Sequence, residues 1–400
     1  MVHSCYELIF VACLFEGAMS FKKILCQDNI IQLFQGIIAK KRIAHAYIFT
    51  GPDGVGKALF AKELVKALFC EFRQGESVHP SKADGRPPLE GASGVTGGLD
   101  ACPIPKWYGA CDNCRACRRV ESGNHPDVHW IAREKDDKDI KIEYIHVLQD
   151  DVSLKPVEAD RKVFIISEAD RMNEESSNCL LKTLEEPPPN TIIILITTSV
   201  KSLKKTITSR CQVVRFNPLP SSTIETESAT KFDTNPEVLK WVSQSSCGSL
   251  GRATKFLEKG IYERENYIIE RLSSLKLGDN FSFSEEIIKW DSYQGEPSEE
   301  KRSRLRLILD IFLQFYRDAL LCKTCPELVS GTGIKDILLY NPHRKGVLES
   351  LCANLSKRSI INIIEHIVTS MEYMAYNVNV NLLLENLLAK IARAQGTNHE

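Results

Sequence analysis

Gly51-Pro52-Asp53-Gly54-Val55-Gly56-Lys57-Ala58 decides how this chain folds. The stretch fits the phosphate-binding loop G-x-x-x-x-G-K up to its last position, where Ser or Thr is expected and Ala58 stands. Gly51, Gly54 and Gly56 allow positive φ, so the backbone N–H groups can turn toward one centre. Lys57 would add a point charge for the β- and γ-phosphates. Before the loop, Ala46-Tyr47-Ile48-Phe49 reads as a short apolar strand. After it, Leu59, Phe60, Leu64, Ala67 and Leu68 recur at helical spacing. Strand, glycine loop and helix in that order place an anion on a helix N-terminus.

A second apolar strand, Val163-Phe164-Ile165-Ile166, runs into Ser167-Glu168-Ala169-Asp170. A metal-holding Asp is expected at the end of such a strand, and Ser167 occupies the place. Magnesium is held by one or two carboxylates or hydroxyls together with phosphate oxygens and water. Ala58 cannot coordinate it, and Ser167 offers a neutral hydroxyl. Both departures strike the same ion, so the magnesium site is expected to be lost. Glu168, which would polarise an attacking water, is left as a degenerate remnant. The cradle and Lys57 still allow ATP to be held, so nucleotide occupancy stays open while turnover is not expected.

Further on, Ile142 to Leu154 reads as a helix with Ile142, Ile145, Leu148 and Val152 on one side. Asn173 to Glu186 reads as another, stopped by Pro187-Pro188-Pro189. The run Thr191-Ile192-Ile193-Ile194-Leu195-Ile196-Thr197-Thr198 has the continuous apolar character of a strand buried on both faces. Strands alternating with helices imply an α/β core, a parallel sheet covered on both sides. At 400 residues the chain has room for two or three domains. Asn217-Pro218-Leu219-Pro220 marks a linker. Residues 217–260 are expected to form a small helical lid, and 261–400 an all-α bundle with apolar stripes such as Leu305, Leu309, Phe312, Leu313 and Tyr316.

Formal net charge is −1, which argues against solitary nucleic-acid binding driven by a basic field. Fourteen cysteines without a secretory signal point to a reducing compartment and metal chemistry. The apolar run Glu7 to Phe15 is too short to span a membrane and lacks the basic flank of a signal peptide. Met19-Ser20-Phe21 reads as a more natural start, so residues 1–18 are expected to be a mis-called extension. No membrane partner is expected, and the location implied is cytoplasmic.

Cys102, Cys111, Cys114 and Cys117 are spaced C-x8-C-x2-C-x2-C, which suits a structural zinc held by four thiolates. Residues 102–117 therefore read as a zinc module inserted after the first helix of the core, which spans 19–216. The preceding segment, 71–101, is rich in glycine and proline and reads as a flexible loop. Cys322 and Cys325 form a further C-x2-C pair with no partner pair in the sequence nearby. It reads first as two thiols at a helix end.

Three segments carry a specific resemblance: His45-Ala46-Tyr47 ahead of the loop, Asn178-Cys179-Leu180-Leu181-Lys182-Thr183-Leu184-Glu185-Glu186-Pro187-Pro188, and Thr208-Ser209-Arg210-Cys211. Together with the cysteine spacing they resemble the AAA+ subunits of bacterial DNA polymerase III clamp loaders, and among these the delta-prime branch. The resemblance covers residues 20–400 and is densest over 20–255. It implies that Arg210 is an arginine finger reaching into a neighbour's ATP site. It implies that Thr197 or Thr198 is the sensor of the γ-phosphate, that Arg252 is the second sensor on the lid, and that the C-terminal bundle is the collar of a ring.

The implied role is that of a non-hydrolysing stator in a hetero-pentamer with gamma/tau and delta subunits, which acts on a sliding clamp and primer-template DNA during replication. Two alternatives compete with it. One is an ATP-hydrolysing motor of gamma/tau type, opposed by Ala58 and Ser167. The other is a zinc-based nucleic-acid module drawing on Arg115, Arg118 and Arg119, opposed by the near-neutral charge.

Overall fold

The computed structural model describes residues 20–71, 109–134, 139–290, 298–324, 339, 344–374, 376 and 378–396. The expected extension 1–18, most of the glycine-rich loop, Cys102 and Cys325 lie outside these residues. The chain divides into two compact units, the first ending at Pro218 and the second beginning at Leu219.

The first unit is built on a parallel sheet. In chain order its elements are α1 (Asp28–Ala39), β1 (Ala46–Thr50), α2 (Lys57–Phe69), α3 (Arg115–Glu121), β2 (Val128–Ile131), α4 (Ile142–Val152), β3 (Lys162–Ile166), α5 (Glu174–Glu185), β4 (Thr191–Thr197), the single turn α6 (Lys205–Thr208) and β5 (Gln212–Arg215). The strand order is β2-β3-β4-β1-β5, and every pairing is parallel. Tyr47 sits opposite Ile194, and Phe164 opposite Ile193.

The unbroken apolar runs have a simple cause. Successive side chains of a strand point to opposite faces, and both faces of this sheet are covered. Tyr47, Phe49, Val163, Ile165, Ile192, Ile194 and Ile196 face one core, with α1 and α2. Ala46, Ile48, Phe164, Ile166, Ile193 and Leu195 face the other, with α4 and α5. The first core is aromatic at its centre. The Phe34 ring lies 5.2 Å from Tyr47, 5.8 Å from Phe49 and 5.3 Å from Phe60, and Phe60 lies 5.4 Å from Phe216. Burying each such ring contributes about 1.5–3 kcal/mol. These two layers hold the loop 51–56, at the end of β1, on a rigid base.

The second unit is helical: α7 (Ser221–Lys231), α8 (Pro236–Ser245), α9 (Leu250–Glu258), α10 (Ile261–Ser273), α11 (Asn280–Lys289), α12 (Ser298–Thr324), α13 (Lys345–Asn354), α14 (Lys357–Tyr373) and α15 (Val380–Gly396). Three of these helix starts are capped by a side chain. Asn235, Ser249 and Ser356 each accept a backbone N–H from the first turn of the helix that follows, which satisfies otherwise orphaned donors. The long helix α12 organises the unit. Gln314 donates from Nε2 to the carbonyl of Ser245 at 2.8 Å, and buried Tyr316 receives Gln395 Nε2 at 2.9 Å. The first of these contacts ties α12 to the end of α8, and the second ties it to α15.

Candidate functional site: a phosphate loop, its metal position and a cysteine cluster

Gly51, Gly54 and Gly56 all have positive φ, at 151°, 73° and 97°. At Gly51 a side chain has no room as well: a Cβ there would lie 2.5 Å from the carbonyl oxygen of Phe216. The loop therefore takes its shape from β5's continuation pressing on its first residue. Lys57 opens α2 and is buried. Its ammonium donates to the carbonyls of Gly51 at 2.7 Å and Pro52 at 2.6 Å. Burial lowers its pKa, and the nearby Asp53 and Asp170 pull it back up. The lysine thus closes the loop on itself, with two of its three donors on the loop's own backbone.

The two residues that follow β3, Ser167 and Glu168, are each engaged by a side chain from the neighbouring strand and the residues after it. Ser167 Oγ accepts a hydrogen bond from the indole Nε1 of Trp130 at 2.8 Å. Glu168 has a left-handed backbone, with φ at 50°, and its Oε2 pairs with Arg133 Nε at 2.7 Å. Trp130 and Arg133 come from β2 and the residues after it. They reach this place because β2 pairs with β3 in parallel, Ile131 opposite Ile166. Sequence reasoning does not find these two residues. Their signal is positional only: they end the strand neighbouring the one that carries Ser167. Ala58 follows Lys57 in α2 and has no ligand atom.

Of the threonines at the end of β4, Thr197 is buried and fully engaged. Its hydroxyl donates to Asp170 Oδ1 at 2.9 Å and lies 3.0 Å from the Ser199 carbonyl oxygen. Thr198 is exposed, and its carbonyl oxygen lies 3.5 Å from the Thr50 hydroxyl. Arg210 follows α6 and keeps 36% of its side chain exposed. It pairs with Glu185 at 2.8 Å and donates to the Thr206 carbonyl at 2.9 Å. Arg252, in α9 of the second unit, forms an ion pair with Asp310 of α12. Its guanidinium carbon also stands 5.8 Å from the centre of the Phe256 ring. Burial raises the Asp310 pKa, and Arg252 counters that rise.

The cysteine cluster contains three of the four expected ligands, and the fourth, Cys102, lies outside the described residues. Among the described residues, Cys70, Cys111, Cys114 and Cys117 bring their sulfurs within 4.8 Å of one another. The fourth thiol of this group is Cys70, directly after α2. Four thiolates around zinc, at Zn–S distances of about 2.3 Å, lie about 3.8 Å apart, so the group is compatible with a tetrahedral ion and needs no fifth sulfur.

The backbone is arranged for thiolates. The N–H groups of Cys111, Cys114 and Cys117 donate to the sulfurs of Cys70, Cys111 and Cys114 at 3.4, 3.2 and 3.4 Å. Contact with the Cys70 thiol is the main cause of a strongly raised Cys117 pKa, and burial adds to it. A divalent cation reverses that balance, because coordinated thiols ionise. The residues present fit a structural zinc, with Cys70, Cys111, Cys114 and Cys117 as its holders.

Beside the cluster, buried Lys66 of α2 pairs with Glu63 at 3.0 Å, with Asp112 at 3.1 Å and also with Glu121. Burial would lower its pKa, but the three carboxylates outweigh burial and raise it. The second basic group expected here is partly accounted for as well. Arg115 and Arg119 both pair with Glu158.

Comparison with known proteins agrees with this architecture. The profile of a family described as "DNA polymerase III, delta subunit" matches residues 26–85 and 101–220. The DNA polymerase III subunit delta' of Bacillus subtilis is 30% identical over 367 residues, covering 90% of this chain and 95% of its own length. The subunit delta' of Pseudomonas aeruginosa is 26% identical, covering 88% and 93%. A DNA polymerase III subunit gamma from Buchnera aphidicola is 26% identical, covering 79% of this chain and 82% of that protein. Among the described residues no helix is long and apolar enough to cross a membrane. With identity at that level running almost end to end through both proteins, the chain belongs to the delta-prime family of DNA polymerase III subunits.

Proposed function

We propose that this chain is a non-hydrolysing subunit of a DNA polymerase III clamp loader, which holds the ring together and lends Arg210 to the ATP site of a neighbouring motor subunit. The observation that carries the reading is how the residues expected to hold the metal are engaged. Ala58 brings no ligand, the Ser167 hydroxyl is bound by Trp130, and Glu168 is tied to Arg133. A metal at the γ-phosphate supplies several kcal/mol of transition-state stabilisation, and here Ala58 has no ligand atom while Ser167 and Glu168 are engaged by Trp130 and Arg133.

Arg210 is in the opposite condition. Its partners Glu185 and Thr206 lie at the surface, and an exposed ion pair of this kind is worth about 0–1 kcal/mol. A neighbouring phosphate can displace it at small cost. The partners that follow are gamma/tau and delta subunits in a hetero-pentamer, and through them the sliding clamp and primer-template DNA. The setting is the cytoplasm. Zinc has a structural role, and ATP, if held, is held without turnover.

The test is the ATPase of a loader reconstituted with Arg210→Ala. Turnover at the motor site facing this subunit should fall by about 10³-fold or more, with assembly unchanged. Full turnover at every site would overturn the arginine-donor role. Magnesium-dependent hydrolysis by this chain, with its partners' own sites disabled, would instead favour a motor of gamma/tau type.

A further inference from the structure

The spaced pair Cys322 and Cys325 is unused by the role just described. Cys322 lies in the last turn of α12 and is partly exposed. Its thiol is hydrogen-bonded to that of Cys352 in α13. Two further contacts fix Cys352 against the same turn. Its Sγ donates to the carbonyl of Ala319, one turn before Cys322, at 3.2 Å. Its own carbonyl receives the ammonium of Lys323 at 2.6 Å. Side chain and backbone of Cys352 are therefore both held to the turn of α12 that carries Cys322.

We propose that Cys322 and Cys352 form a reversible disulfide, an oxidant-sensitive clasp between α12 and α13 of the helical unit. The contacts of Cys352 with Ala319 and Lys323 hold its sulfur on the turn of α12 that carries Cys322, so the two thiols come from different helices to one place. The chemistry is supported by the surroundings of Cys352. The hydrogen bond from Cys322 lowers its pKa against the effect of burial, and Lys323 helps. A thiol so placed gains thiolate character, and the thiolate is the reactive form.

With a peroxide as oxidant the atoms balance. One thiolate attacks the O–O bond, becomes a sulfenic acid and releases hydroxide, which takes up the proton that thiol lost. The second sulfur attacks the sulfenic sulfur, the S–O bond breaks, and water leaves with the second thiol's proton. Two thiols and one peroxide give one disulfide and two waters. A disulfide oxidant such as oxidised glutathione reaches the same product by exchange through a mixed disulfide, releasing two glutathione thiols.

This clasp is distinct from the cluster of Cys70, Cys111, Cys114 and Cys117, which lies in the other unit. It also differs from the sequence reading of Cys322 and Cys325 as two thiols at a helix end. The experiment uses the full zinc-loaded chain, treated with hydrogen peroxide or oxidised glutathione, quenched with an alkylating reagent and mapped by mass spectrometry without reduction. The expected product is a cross-linked peptide joining Cys322 to Cys352, with both thiols protected from alkylation and released by dithiothreitol. Cys322→Ser and Cys352→Ser should each abolish it, and Cys325→Ser should leave it intact. A cross-link from Cys322 to Cys325 in the untouched sequence would overturn the proposal. So would alkylation of Cys322 and Cys352 that is as complete after oxidation as before it.

Discussion

Asp127 ties the start of β2 to the loop before β3 through its carboxylate and to β3 itself through its backbone carbonyl. It is wholly buried just before β2. Its oxygens accept the backbone N–H groups of Val157, Glu158 and Ala159 at 2.6, 2.8 and 2.8 Å, and its own carbonyl receives the N–H of Val163 at 2.9 Å. Burial pushes its pKa up, but the three donors outweigh burial and hold it below the ordinary carboxylate value. The sign of the pH effect follows. A carboxylate whose folded pKa is depressed adds stability that is fully present above its unfolded pKa, about 3.9, and is lost as pH falls through the lower folded value. Asp127→Asn keeps the shape and removes the charge. It should cost roughly 2–3 kcal/mol at neutral pH, the worth of hydrogen bonds to a charged group. Urea unfolding of both proteins across pH should show this gap closing on the acid side, below about pH 3.9. A gap that stays constant into strong acid would mean that shape, and not charge, holds the segment.

At the scale of elements, the zinc module makes the sharpest demand. Cys111, Cys114 and Cys117 are legible because two-residue spacings bend a knuckle back on itself. Cys70 was not legible, because 41 positions separate it from Cys111 and nothing local marks the residue after a helix as a ligand. What places it is the packing of α3 against α2, fixed by Lys66 and its carboxylates. Cys70→Ser should therefore lower the zinc content of the purified protein as severely as Cys114→Ser, while Cys102→Ser should leave one zinc per chain. Elemental analysis with thiol titration decides the matter. If Cys102→Ser loses the metal and Cys70→Ser retains it, the four-sulfur group described here is not the ligand set.

The same contrast runs through the rest of the core. β1, β3 and β4 were readable because covering both faces of a sheet requires continuous apolar runs. The loop was readable because its glycines answer to positive φ. Trp130 and Arg133 were not, since only the parallel register of β2 on β3 brings them to Ser167 and Glu168 respectively. Thr197's bond to Asp170 was hidden for a similar reason, as it joins the ends of β4 and β3 across the sheet.

Across the whole molecule, two arginines with related expected roles sit in different circumstances, and their variants should part company. Arg210, in the first unit, is half-exposed and paired at the surface with Glu185. Its removal should change the stability of the isolated chain by less than about 1 kcal/mol, with its effect confined to the assembled loader. Arg252, in the second unit, answers Asp310, a carboxylate of α12 whose pKa is raised by burial. Taking away one partner of a buried pair leaves the other charge uncompensated, at a cost of about 3–5 kcal/mol. Part of that is relieved here, because a carboxyl with a raised pKa can take up a proton. Arg252→Ala should therefore lower the unfolding midpoint of the isolated chain where Arg210→Ala does not, and the loss should shrink as pH falls and Asp310 is neutralised. Double replacement, Arg252→Met with Asp310→Leu, should recover much of the loss, since an apolar pair of similar volume avoids the buried charge. Thermal denaturation of the four proteins at two pH values separates the cases. An Arg252→Ala protein as stable as the parent would mean that the ion pair to α12 contributes little, and would return Arg252 to the role of a nucleotide sensor.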